Sequence, residues 1–117
     1  LKGLCITRLR PEVSRQRCGC ENILWLSTIG GRETMPPTHL SRLRDLIENF
    51  MASTGGVVLI DGLEYLILYN GFEKAAKFAN QVVDIATNYR GIAIIPVDPE
   101  TLSGRELELL TRFLKYE

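Results

Sequence analysis

The chain has 117 residues, with 14 Lys and Arg against 14 Asp and Glu, one His and three Cys. That length fits one domain hiding about two-thirds of its unfolded surface, and 45% hydrophobic with 24% charged residues excludes a disordered chain. No apolar run nears the roughly 18 residues of a membrane span, no signal-peptide pattern opens the chain, and zero net charge speaks against nucleic-acid binding by bulk electrostatics.

The first element is the apolar run Leu4–Thr7, read as a strand in which Cys5 is a small buried hydrophobe. A short helix is predicted over Pro11–Cys18, with proline in its first turn. This entry segment is basic: residues 1–20 hold Lys2, Arg8, Arg10, Arg15 and Arg17 against Glu12 alone. Ordinary solvated surface accounts for that excess; a face for an acidic partner or a phosphate is the sharper alternative. Cys18 and Cys20 form one C-x-C pair, and the only His, His39, lies 19 residues further on. Four-ligand zinc spacing is missing, so no metal site is expected, and the cysteine usage fits a reducing, cytoplasmic setting.

A second strand is predicted over Ile23–Ser27. In Thr38–Met51 the apolar residues Leu40, Leu43, Ile47 and Phe50, widened by Leu46 and Met51, mark a helix. Thr38 is its expected cap, and Gly55-Gly56 its stop. A third strand, Val57–Asp61, leads into an apolar stretch from Tyr65 to Tyr69. Core packing is the expected role of that stretch, and a partner-binding patch of Tyr65, Leu66 and Tyr69 is the alternative. A second long helix spans Phe72–Tyr89 on a stripe of Phe72, Ala75, Ala76, Ala79, Val82, Val83 and Ala86, with Asn70 as its expected cap. A fourth strand, Ile92–Pro96, ends at a proline that cannot donate to a ladder. The last helix opens on the capping-box spacing of Ser103 and Glu106 and buries Leu107, Leu110 and Leu114. The third and fourth strands are almost continuously aliphatic, which predicts cover on both faces. Alternation of this kind predicts a single α/β domain over residues 1–117: an open, mainly parallel sheet with helices on both faces and right-handed crossovers.

Ligands of open parallel sheets bind outside the carboxyl ends of the strands. Those ends place Thr7, Arg8, Ser27, Thr28, Asp61 and Asp98 on one rim, a set suited to a phosphate or metal-phosphate. Polar residues also stand at strand ends merely because the chain enters solvent there, and this reading is preferred. Asp61 closes a four-aliphatic strand in the manner of a Walker B carboxylate, yet the partner loop G-x-x-x-x-G-K-[ST] is missing and no Gly-Lys dipeptide occurs. Autonomous nucleotide hydrolysis is not expected. His39 and Ser41 are two apart on a helix, which does not bring side chains face to face. Glu64 could serve as a general acid or base, but carboxylates in turns are common.

The segments Gly3-Leu4-Cys5-Ile6-Thr7-Arg8, Trp25-Leu26-Ser27, Leu59-Ile60-Asp61-Gly62-Leu63-Glu64-Tyr65-Leu66-Ile67, Asn70 and Pro96-Val97-Asp98-Pro99, taken in order, resemble the archaeal domain of unknown function 835 across essentially the whole chain. That resemblance implies a context beside sensory or receiver modules, or after membrane segments, and hence signalling or regulatory interaction. With less specific motifs, the layout also resembles circadian-clock ATPases and their RecA-like relatives. It departs from them in lacking the phosphate loop and in starting one strand and helix later. The resemblance therefore implies a RecA-like sheet without Walker A, here as the C-terminal part of a larger domain or chain.

The function expected is a non-catalytic regulatory or protein-interaction module without a cofactor, working through a protein partner or self-association rather than nucleic acid or membrane insertion. The alternatives are a nucleotide- or phosphate-responsive domain using Asp61, Asp98, Arg8 and Thr28, and a structural subunit of a larger archaeal assembly.

Overall fold

The computed structural model describes residues 2–9, 12, 13, 16, 22–31 and 34–113. Five strands form one parallel sheet: β1 (Gly3–Thr7), β2 (Asn22–Leu26), β3 (Thr34–Met35), β4 (Val57–Asp61) and β5 (Ile92–Ile94). Their order is β3-β2-β1-β4-β5. Among the described residues four α-helices accompany them, α1 (Leu40–Thr54), α2 (Leu63–Asn70), α3 (Phe72–Asn88) and α4 (Gly104–Phe113), with a 3-10 turn at Pro99–Thr101. The open α/β architecture expected from the alternation of patterns is therefore present. The helix expected over Pro11–Cys18, which would stand on the second face, lies largely outside the described residues, as do Cys18, Cys20 and Leu114.

Register explains which side chains meet. Leu4 pairs with Val58 and Ile6 with Ile60, so these four share one face of the sheet. They join Leu43, Ile47 and Met51 of α1, Leu63 and Leu66 of α2 and Ala75, Ala79 and Val82 of α3 in a single core. Each large aliphatic side chain buried there stabilises the fold by about 1.5–3 kcal/mol. The alanines of α3 let its backbone lie close to the sheet. Phe78 and Ile85 are buried on that helix, whereas Phe72 and Val83, expected on its stripe, are only partly so. A 3.6-residue period carries the buried arc onto both neighbours of the alanine row.

The opposite face is uneven. Cys5, Thr7 and Ile23 are buried, but Ile92 and Ile94 of β5 remain 51% and 48% exposed. Among the described residues, the cover on both faces expected for the fourth strand is thus not found. β5 is an edge strand at the end of the sheet away from β2, and its exit, Ile95–Pro96, is already outside the ladder.

Close backbone approach fixes the amino ends of β1, β4 and β5. Val57 N–H donates to Lys2 O at 2.8 Å, and Ile92 N–H donates to Gly56 O at 3.0 Å. A Cβ on Gly56 would fall on the Lys2 carbonyl. Gly55 ends α1 in the left-handed region (φ 59°) and donates to Met51 O. The capping box of α4 is formed both ways: Ser103 N–H donates to Glu106 Oε1 at 3.0 Å, and Glu106 N–H donates to Ser103 Oγ at 3.1 Å. Two other expected caps are replaced. His39, not Thr38, precedes α1 and makes no side-chain cap bond. Gly71, not Asn70, precedes α3; Asn70 instead donates to Pro37 O and Leu66 O at 2.9 and 2.8 Å, tying α2 to the entry of α1. Among the described residues, no helix is long and apolar enough to cross a membrane.

Candidate functional site

The sheet order defines a switch point. From β1 the chain steps outward to β2 and β3, then crosses back to β4 and on to β5, so the connections leaving β1 and β4 diverge between two neighbouring strands. The crevice beyond their carboxyl ends is where open α/β sheets take ligands. Thr7 pairs with Asp61 on one side and Trp25 on the other, which sets those three side chains in a row at the rim.

In this chain most of the rim groups are engaged by their own surroundings. Thr7 is fully buried, and its Oγ1 accepts from Leu9 N–H at 3.0 Å. Ser27 Oγ accepts from Ile29 N–H at 3.1 Å, and Asp98 Oδ1 accepts from Glu100 N–H at 3.0 Å. Each of the three caps the amide two residues on, Thr7 and Ser27 where the chain leaves β1 and β2, Asp98 at the start of the 3-10 turn Pro99–Thr101, a local role that short oxygen-bearing side chains fill well. Trp25 Nε1–H donates to Arg8 O at 3.0 Å, so β2 anchors the exit of β1. The Arg8 guanidinium then lies over the Tyr65 ring, 5.1 Å from its centroid, within cation–π range. Tyr65 in turn meets Tyr69 edge-on, with centroids 5.0 Å apart. Burial, followed by the Tyr69 hydroxyl, raises the Tyr65 phenol above its ordinary pKa, while Arg8 pulls it down.

Beneath this roof the crevice is narrow. A Cβ on Gly62 would lie 3.5 Å from Leu26 Cδ1 and 3.8 Å from Arg8 N, so the β1 exit packs directly on the β4 exit. Asp61 is half-buried at the rim and Thr28 is exposed, followed by Ile29 at 89% exposure. Glu64, in the first turn of α2, keeps one carboxylate oxygen, Oε1, buried with no hydrogen-bond partner. Among the described residues, no group of three or more His, Cys, Asp or Glu is placed to hold a metal ion.

Of the six expected rim residues, Thr7, Arg8 and Asp61 come together at the switch point. Ser27 and Thr28 follow β2, and Asp98 lies beyond β5. The apolar stretch after β4 is the helix α2, which periodicity did not reveal because apolar residues run all round it. Leu66 is fully buried on that helix, so it cannot belong to an interaction patch. Tyr65 and Tyr69 do reach the surface, as does Leu68 of the same stretch, 75% exposed.

No curated protein matches this chain. The family model described as a protein of unknown function (DUF835) matches residues 1–114, nearly the full length, and the chain belongs to that family.

Proposed function

We propose that this domain is a non-catalytic protein-interaction module whose contact surface is the sheet face at β5. The observation that carries the reading is the pair Ile92 and Ile94, half-exposed side by side on an edge strand. Proteins normally cover such strands or blunt them with charge, because they invite pairing with another chain. A second copy of the chain is the proposed occupant, since symmetric dimers are the commonest soluble homo-oligomers. A regulatory role in archaeal signalling extends this reading through the family resemblance alone.

The test is light scattering over a concentration series on wild type and Ile92→Lys/Ile94→Lys. The wild type is expected to rise from the monomer mass of 13.2 kDa toward twice that value, and the double variant to stay monomeric. A constant monomer mass for wild type at high concentration would refute self-association by this face.

A nucleotide- or phosphate-responsive role finds one favourable observation, the unpartnered Glu64 Oε1 on the helix that follows Asp61. It is the weaker reading, because Thr7, Ser27 and Asp98 are engaged by backbone amides and Arg8 by Tyr65. A melting-temperature panel with Mg²⁺-nucleotides decides it: a ligand at 100 times its Kd adds about 2.7 kcal/mol.

A further inference from the structure

A second surface lies on the helical side, away from both the switch point and β5. The first turns of α1 and the amino-terminal half of α3 enclose an open groove of about 640 Å³. From α1 and the residue preceding it come His39, Arg42 and Arg44; from α3 come Lys74, Lys77 and Gln81, with Phe78 as floor. No acidic side chain lines the groove among the described residues. Arg44 is paired with Asp45 at 3.0 Å. Arg42, Lys74 and Lys77 are exposed and make no ion pair among the described residues. In a chain of zero net charge, three uncompensated cations around one groove form a local field of a single sign, which a complementary partner would neutralise.

We propose that this groove binds an acidic, extended peptide segment of a partner protein. The spacing favours a chain over a single anion. Positions 74, 77, 78 and 81 form one stripe of α3, about 10 Å long at 1.5 Å per residue. That is the length of about three extended residues, with Arg42 contributed from the facing helix. Lys74 and Lys77 stand about 4.5 Å apart along the helix axis, Arg42 belongs to the facing helix, and Ser41 and Gln81 add to the polar lining and offer hydrogen bonds to a peptide backbone. Single-stranded nucleic acid fits less well, because Phe78 is only 2% exposed and His39 alone leaves a ring on which a base could stack, whereas such sites stack successive bases on several rings.

Fluorescence anisotropy with a labelled hexaglutamate peptide tests the proposal on the full chain. Binding is expected at about 50 mM NaCl and should weaken at about 300 mM, where the Debye length is much shorter. Lys74→Glu/Lys77→Glu should weaken it by about tenfold or more, while Lys74→Arg/Lys77→Arg should retain it. Both substituted positions are exposed, and circular dichroism checks that each variant is folded. Unchanged affinity in the charge-reversed variant, or no binding at low salt, overturns the proposal. So does displacement of the peptide by millimolar inorganic phosphate at matched ionic strength, which would mark a small-anion pocket. Tighter binding of an oligonucleotide than of the peptide would overturn it too. The scattering mass is expected to be the same in these variants as in wild type, so failure here is separable from failure of the β5 interface.

Discussion

Replacing Thr7 with Val separates a structural rim from a ligand-binding one. The two side chains have nearly the same shape, so the buried volume is kept and only the hydroxyl is lost. Thr7 is fully buried, and its Oγ1 is the partner of Leu9 N–H at 3.0 Å in a partly buried turn. Removing one partner of such a pair leaves a donor unsatisfied, at a cost of about 1–3 kcal/mol. The partial exposure of this bond places the expected loss in the lower half, about 1–2 kcal/mol. For a chain between the size classes usually tabulated, that corresponds to a melting-temperature drop of roughly 3–10 °C. Thr28→Val is the control: Thr28 stands on the same rim but is exposed, so its stability should stay within about 0.5 kcal/mol of wild type. Urea unfolding followed by circular dichroism gives both values, and repeating it with Mg²⁺-ATP asks whether either variant loses a ligand-dependent increment. Capping predicts a loss for Thr7→Val alone, identical with and without nucleotide. If Thr7→Val matched wild-type stability while abolishing a nucleotide-induced gain, the rim would be a phosphate site and the capping account would fail.

Three further outcomes follow from the same geometry. Asp61→Asn should shift stability by less than about 1 kcal/mol, and neither it nor wild type should release phosphate from ATP above a protein-free blank; turnover that this substitution abolishes would contradict the reading. Gly56→Ala should cost about 2–4 kcal/mol by denaturant titration, because the new methyl meets the Lys2 carbonyl and strains the bonds from Val57 to Lys2 and from Ile92 to Gly56, whereas Gly104→Ala, with open space around it, should be neutral or stabilising by up to about 1 kcal/mol. Because the folded-state pKa of Tyr65 is raised, its contribution is fully present below the unfolded phenol value of about 10 and is lost as pH rises through the folded value; urea midpoints should fall more steeply above about pH 10 in wild type than in Tyr65→Phe.

How much of this was legible in the sequence depended on whether a segment's neighbours were already specified. α1 and α3 were readable because each has one buried arc and one wet face, so the helical period shows through. α2 was not, since Leu63-Glu64-Tyr65-Leu66-Ile67-Leu68-Tyr69 carries apolar groups in every direction and periodicity has nothing to report. β3 was equally hidden: two residues, Thr34 and Met35, pair with Trp25 and Leu26, too short a run to show alternation. Boundaries moved where caps were ambiguous, as at Thr38 and Asn70, because a capping residue is recognised by which amide it reaches and several candidates stood within two positions. The rim was legible as a list but not as a set of roles. Thr7, Ser27 and Asp98 are the residue types a phosphate site would use, and they are equally the types that cap an amide two residues on. Only the distances to Leu9, Ile29 and Glu100 separate the two uses.

The groove between α1 and α3 illustrates the same principle in reverse. Lys74 and Lys77 sit on the wet face of an amphipathic helix, and Arg42 on the wet face of another; from sequence, each is ordinary surface. Their convergence follows from topology. β3 must cross behind β2 and β1 to reach β4, and β4 must pass on to β5, so α1 and α3 run back along the same face of the sheet and begin at the same end. Two solvated faces that are unremarkable singly are thereby brought edge to edge, and among the described residues no acidic side chain lines the groove between them. A neutral net charge therefore excludes only recognition by the molecule's overall field. It leaves room for a partner that reads one groove, and the salt dependence of peptide binding distinguishes the two, because a local groove loses affinity with salt only while Lys74 and Lys77 remain positive.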